Sequence, residues 1–241
     1  MRKLKDAMNT SSFFRIPFAY LCPQKIPMIT IESYTYGPFQ ENTYLLYNEK
    51  KQAIVIDPGM YDLHEFDHFF AQIQSKQLQP ILLLNTHTHI DHIFGNAAVK
   101  MKYQVPFAFH ELDRPVFDNA KESGARFGLT FVSSPQPDYY LSVDEDIILG
   151  EDRLQVLLAP GHSPGSVCFY HQEQQFVIAG DVLFQQSIGR TDLPGGDYDT
   201  LVKSIHTQLF PLPDETVVYS GHGPQTQIGF EKMNNPFVGQ R

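Results

Sequence analysis

Apolar and polar residues alternate from Ile29 to Tyr36, the period of a strand with one face covered. Two further strands are predicted at Thr43 to Tyr47 and Ala53 to Ile56. Asn48-Glu49-Lys50-Lys51 forms the turn between them, and Asp57-Pro58-Gly59 stops the second. Leu63, Phe66, Phe70 and Ile73 then recur at helical spacing and predict one buried face, which leaves His64 and His68 on the wet side. Ile81 to Leu84 is apolar without a break, as in a strand buried on both faces. A second helix is expected from about His92 to Lys102, then a short strand from Val105 to Phe109. Glu111 to Leu141 mixes helix-like and loop-like pieces and reads as an insertion over the domain. Strands follow at Leu154 to Leu158, Ser166 to Tyr170 and Phe176 to Ala179, with Gln172-Glu173-Gln174 as a turn. Tyr198, Leu201, Val202, Ile205 and Leu209 predict a helix from Asp197 to Leu209, and Val217 to Tyr219 is the last strand. Mixed elements in this order predict an α+β fold of sheets covered by helices.

The chain has 241 residues, enough for one large domain or two small ones. The regular pattern starts near Met28, so the domain is placed at residues 28–241 and residues 1–27 read as a disordered or loosely attached extension. Arg15 and Pro17 interrupt its apolar stretch, which does not suit a signal peptide. The net charge of −9 disfavours nucleic acid and anionic membranes as partners, since both attract basic surfaces. The only cysteines, Cys22 and Cys168, cannot make a disulfide framework and suit a reducing cytoplasm. Cys168 lies in an apolar run and is expected to be a buried structural thiol.

One run changes the picture. Thr86-His87-Thr88-His89-Ile90-Asp91-His92 follows the buried strand directly, where loops carry active sites. Residues two apart in an extended segment point the same way, so His87 and His89 can share one metal ion. Asp91 and His92 lie past the turn and can face a second. Imidazole and carboxylate suit borderline metals such as zinc. His162 in Pro160-Gly161-His162-Ser163-Pro164-Gly165, Asp181 after Gly180, and His222 in Gly221-His222-Gly223 each follow another predicted strand.

Together these motifs resemble the metallo-β-lactamase superfamily and, within it, the compact single-domain hydroxyacylglutathione hydrolases (type II glyoxalases). The resemblance runs from about Met28 to the C-terminus and rests on Asp57, His87 to His92, His162, Asp181 and His222. Ser187 to Asp197 and Asn235-Pro236-Phe237 also resemble that branch. It implies a four-layer αββα sandwich. It implies one metal on His87, His89 and His162, a second on Asp91, His92 and His222, and Asp181 bridging both. Asp57 is implied to brace the metal-binding loop. The expected cofactor is a pair of divalent ions, zinc, with iron or manganese also accepted by such ligands. The implied chemistry is thioester hydrolysis of an S-lactoylglutathione-type substrate: two ions bridge a water and lower its pKa, and the hydroxide attacks the carbonyl. Asp91 is implied to orient that nucleophile as the catalytic residue.

Competing readings attach to particular residues. Gly189-Arg190-Thr191-Asp192 is shared with persulfide dioxygenases of the same superfamily, which use a single iron held by two histidines and an aspartate. A non-catalytic metal-binding module is disfavoured by the complete ligand set. His64-Glu65-Phe66-Asp67-His68 matches a zinc-protease motif, but a site of that type also needs a third ligand and a cleft, and the helix puts both histidines towards its wet side. His110, His171 and His206 have no partner spacing. Arg190 suits either an anionic substrate group or a salt bridge to Asp192. Two-domain relatives take glutathione contacts from a C-terminal helical domain, whereas 19 residues follow His222, so glutathione in the substrate rests on resemblance alone.

Overall fold

The unbroken apolar strands form the middle of the molecule. A computed structural model describes residues 29–130 and 132–239. The expected extension at residues 1–27 and Cys22 lie outside them. Strands β1 (Thr30–Tyr36), β2 (Glu41–Tyr47), β3 (Gln52–Ile56), β4 (Gln79–Leu84), β5 (Phe107–His110) and β6 (Tyr139–Leu141) make one sheet in that order. The first three are antiparallel, and β3 to β6 run parallel. The second sheet contains β7 (Ile147–Leu149), β8 (Asp152–Leu158), β9 (Val167–His171) and β10 (Phe176–Gly180). A small hairpin, β11 (Leu183–Phe184) and β12 (Ser187–Ile188), interrupts it in sequence before β13 (Val217–Ser220) and β14 (Thr226–Gln227). Its order is β14-β13-β10-β9-β8-β7, with β10 and β13 parallel.

Alternate side chains of each strand enter different cores. Leu46, Ile54, Ile56 and Leu84 meet Leu154, Val156, Phe169 and Ile178 between the sheets. Their neighbours Leu45, Val55 and Leu83 face outward. They pack on Phe69 and Ile73 of α1 (Leu63–Ser75), Ile93 of α2 (Ile90–Ile93) and Val99 of α3 (Asn96–Tyr103). Phe117 of α4 (Arg114–Asp118) and Ala120 of α5 (Ala120–Arg126) complete that layer. Beyond the second sheet, Cys168, Val177 and Val218 pack on Leu201 of α6 (Tyr198–Ser204) and Ile228 of α7 (Ile228–Asn234). The result is the four-layer αββα sandwich, and it explains why the central strands are apolar on both faces. Cys168 is fully buried, as expected.

Several expectations need correction. Leu63 does not join the buried face of α1 and is 82% exposed; Phe69 and Ile73 carry the burial instead. A capping box of Asp62 and Glu65 fixes where the helix starts, so its first turn stands clear of the sheet. The helix expected from His92 to Lys102 is two short ones, because the Gly95 amide turns aside to donate to the Pro58 carbonyl at 2.6 Å. The helix expected to Leu209 ends as α6 and continues as a π-helical turn, Ile205–Leu209. The segment Glu111 to Leu141 is not wholly an insertion, since its end is β6, an edge strand of the first sheet. Among the described residues no helix is long and apolar enough to cross a membrane.

Candidate metal centre

Strand ends deliver the candidate ligands to one edge of the sandwich. His87, His89, Asp91 and His92 follow β4, His162 follows β8, Asp181 follows β10 and His222 follows β13. The loops are stitched to each other. Val167 N donates to the Thr86 carbonyl at 2.8 Å, Gly221 N to Gly180 O at 2.8 Å, and Asn42 N to Gly221 O at 2.7 Å. Gly221 allows a close approach: a Cβ there would lie 2.1 Å from Asp181 Oδ1 and 2.8 Å from His92 Cε1.

The seven side chains singled out in the sequence converge into overlapping groups: His87, His89 and His162; His87, His92 and Asp181; Asp91, His92 and His222. Their outer atoms are held by the protein. His162 Nδ1 donates to the Arg190 carbonyl at 2.7 Å, His222 Nδ1 to the Phe39 carbonyl at 3.1 Å, and His92 Nδ1 to Asp57 Oδ2 at 3.1 Å. Each bond assigns the ring proton to the outer nitrogen and turns the Nε2 lone pair inward.

The inner atoms then lack partners of their own. His162 Nε2 lies 3.1 Å from His87 Nε2 and 2.9 Å from His89 Nδ1. Lone pairs this close repel unless a proton or a cation lies among them. Ligands of one tetrahedral zinc stand roughly 3.4 Å apart, which matches this crowding. His92 Nε2 and Asp181 Oδ1 are buried 3.5 Å apart without a hydrogen bond. Asp181 Oδ2 faces the other way, 3.5 Å from His162 Nε2 and 3.6 Å from His222 Nε2. Asp91 Oδ2 lies 3.2 Å from His222 Nε2. The donor set therefore fits two neighbouring cations with Asp181 between them.

Charges follow the same division. Burial, and then the neighbouring imidazoles, hold His87 well below the usual histidine range. Burial and His162 bring His89 down to about 4. Burial would also lower His92, but Asp181, Asp91 and Asp57 outweigh it and raise it well above its usual value. Burial would raise Asp91 and Asp181, yet the surrounding histidines keep both carboxylates below their ordinary range.

Two buried acids were missed in the sequence. Asp113 accepts from Thr88 N at 2.5 Å, Thr88 Oγ1 at 2.7 Å, Gly165 N at 3.0 Å and the Ser163 hydroxyl. It ties the loop of His87 and His89 to the loop of His162. No periodicity marks it, because it ends a single 3-10 turn, Glu111–Asp113. Glu41 is fully buried 3.8 Å from His92 Nδ1, and burial pushes its carboxyl well above the usual range. Asp57 braces the Thr86 loop as the resemblance implied, accepting from Thr86 N at 2.7 Å and Thr86 Oγ1 at 2.5 Å. It does so at φ 49°, a left-handed conformation that aspartate tolerates.

The remaining candidates fall elsewhere. Arg190 pairs with Asp192 through two bonds of 2.7 Å, the salt-bridge alternative. His64 is exposed and His68 Nδ1 bonds the Tyr36 hydroxyl at 2.7 Å; among the described residues neither joins a metal-competent group. His171 is buried 3.1 Å from Asp152. His110 accepts from Leu112 N, and His206 packs edge-on against Phe210.

A cavity of about 390 Å³ opens over the cluster, with His89, Asp91, His162, Asp181 and His222 in its wall. The chain belongs to the metallo-β-lactamase superfamily, whose family model matches residues 36–222. It is 37% identical over 215 residues to the hydroxyacylglutathione hydrolase GloC of Haemophilus influenzae, covering 88% of this chain and 100% of that one. Among solved structures it is similar to BLEG-1, a B3 metallo-β-lactamase, at 40% identity and a TM-score of 0.80 over 87% of this chain and 99% of that one. It is also similar to TTHA1623 in a di-iron-bound form, at 39% identity and a TM-score of 0.77 over 86% and 99%. The chain is thus a metallohydrolase of this superfamily, with His and Asp clusters suited to a dinuclear metal site.

Proposed function

We propose that the chain hydrolyses thioesters of the S-lactoylglutathione type with two divalent ions, as a cytoplasmic enzyme acting on a small-molecule substrate rather than on nucleic acid or a membrane. His87, His89 and His162 would hold one ion, Asp91, His92 and His222 the other, with Asp181 shared. Zinc suits these donors; iron and manganese suit them as well, and a relative holds two irons. When bound, the ions supply Lewis acidity, which lowers the pKa of water and polarises a carbonyl.

The chain's own residues supply the rest. Asp91 is held as a carboxylate by His92 and His222, against the pull of burial, and faces the cavity. It accepts a proton from the attacking water and orients it. The hydrogen bonds to Asp57, Arg190 O and Phe39 O fix the imidazoles before substrate arrives. The described wall of the metal cavity carries no Lys, Tyr or Cys to protonate a leaving group. A thiolate needs none, which favours a thioester over an amide.

One observation carries the reading: Asp91, His92 and His222 meet His87, His89 and His162 across a single carboxylate. A mononuclear iron oxygenase has no use for that second set. The GloC relative supports a hydroxyacylglutathione-type thioester. The test is hydrolysis of S-lactoylglutathione by metal-loaded protein, abolished by chelator and by Asp91→Ala. A folded, metal-loaded protein inactive on a panel of thioesters would sink it. So would one iron per chain with oxygen uptake on glutathione persulfide.

A further inference from the structure

Beside the metal cavity lies a second one, of about 460 Å³. The two share His89, Ser123, Phe127 and Leu193 as walls, so they adjoin. The second is enclosed by Pro115 and Val116 of α4, Phe127 after α5, Pro164 beside His162, and Leu193-Pro194. Apart from His89, polar side chains enter it only from Asn119 and α5.

These walls are set before any ligand binds. Three are prolines, whose φ is fixed. The turn presenting Leu193 closes through Gly196 N to Leu193 O at 2.9 Å. Gly195 within it holds φ +90°, where a Cβ would meet Pro164 Cγ at 2.7 Å. A preformed hollow binds without the cost of ordering its walls. Phe127 is left 49% exposed at the partition, edge-on to Phe39 with ring centres 5.3 Å apart. Open apolar surface next to a hydrolytic centre marks a binding site.

Charge decides which part of a substrate belongs there. Arg190 of the metal cavity is engaged by Asp192, and Arg126 is the other guanidinium on the described walls. Glu122 and Arg126 bring opposite charges to the cavity from α5, while Pro115, Val116, Phe127, Pro164, Leu193 and Pro194 give it an apolar lining that would strip the hydration of a polar, multiply charged carrier thiol without return. The acyl arm is the part that fits.

We propose that the second cavity holds the acyl arm of the thioester, and that this arm is a bulky apolar group, aryl or medium-chain alkyl. The assignment rests on the thioesterase reading and extends its acyl range beyond the lactoyl group to larger apolar ones. Each methylene that enters the cavity fully raises kcat/KM by up to about fourfold, and partly buried ones by less.

The experiment uses the metal-loaded full chain with N-acetylcysteamine thioesters of acetate, butanoate, hexanoate and phenylacetate. The expected hexanoyl-to-acetyl ratio of kcat/KM is at least about tenfold. Val116→Trp, which fills the cavity, is expected to bring the ratio close to one. Ratios within one preparation cancel partial unfolding or metal loss. A flat series in the native chain, or a ratio untouched by Val116→Trp, overturns the assignment while the thioesterase reading stands. If no thioester turns over, that reading fails, and calorimetry still judges the cavity. Hexanoate binding about tenfold tighter than acetate, weakened by Val116→Trp, supports it; equal affinities overturn it.

Discussion

The two halves of the metal centre are built from different materials. His87, His89 and His162 offer three nitrogens, and Asp113 ties their two loops together. Asp91, His92 and His222 offer two nitrogens and a carboxylate, braced by Asp57 and the Phe39 carbonyl. The first set is all imidazole, with His87 and His162 buried; in the second, the His222 side chain is 27% exposed. A neutral set leaves more positive charge on its ion than a set containing a carboxylate. On the proposed reading the halves are therefore unequal: an ion on the all-histidine side would supply the stronger Lewis acid, and Asp91 would accept the proton. Asp181 belongs to both.

The largest effect is expected where the halves meet. Asp181→Ala should strip both ions and reduce thioesterase activity to background, read by elemental analysis beside the assay. If one ion survived at full occupancy, the shared role of Asp181 would be wrong. Next comes Asp91→Ala, expected to lower kcat by on the order of 10²–10⁴ and to empty one half before the other. Retained activity with a single ion would move catalysis to the other half.

Smaller effects should separate the braces. Asp113→Asn is expected to weaken metal affinity about 10–100-fold on the three-histidine side, and Asp57→Asn, which touches both Thr86 beside His87 and His92, to weaken both sides. Chelator competition with cobalt-loaded protein reads the two sites by their spectra. Equal weakening of both sites by Asp113→Asn would erase the distinction.

Acid should act on the metal-free protein through the same neutral half. His89 titrates at about 4 in the fold against an ordinary 6.5, and His87 is lowered as well. The folded state then binds fewer protons than the unfolded chain below pH 6.5. Their stabilising effect is complete above that pH and is lost as pH falls towards about 4, so Tm should drop across this window. Carboxylates held below their usual range add losses only at lower pH. Gln substitution of His89 should flatten the drop. The smallest effect is expected from Arg190→Ala. Its pair with Asp192 is largely exposed and contributes about 0–1 kcal/mol, so Tm should shift little.

Much of this centre was legible because its ligands fall in short loops after apolar strands. The His87-to-His92 run needs only local spacing to be read, and the single residues His162, Asp181 and His222 gained meaning from their like positions. Asp113 was illegible for the opposite reason. It acts on loops far from it in sequence, 25 positions from Thr88 and 50 from Ser163. Glu41 was hidden because it precedes the run Thr43 to Tyr47 that reads as the strand, whereas β2 itself begins at Glu41. Arg190 offered two partners of equal chemical merit, and only the fold chose Asp192. Leu63 misled because apolar spacing continues through the first turn of α1, while contact with the sheet begins later.

Local pattern in the chain was enough to find the apolar strands and the candidate ligands, because burial and metal affinity depend on residue type and local period; the four-layer sandwich came from the family resemblance. Tertiary structure decided what those features mean together. It brought Asp181 between two halves, set three imidazole nitrogens against one another, and opened an apolar cavity beside them. Each of these depends on distances between loops remote in the chain, and no local pattern encodes a distance across a fold.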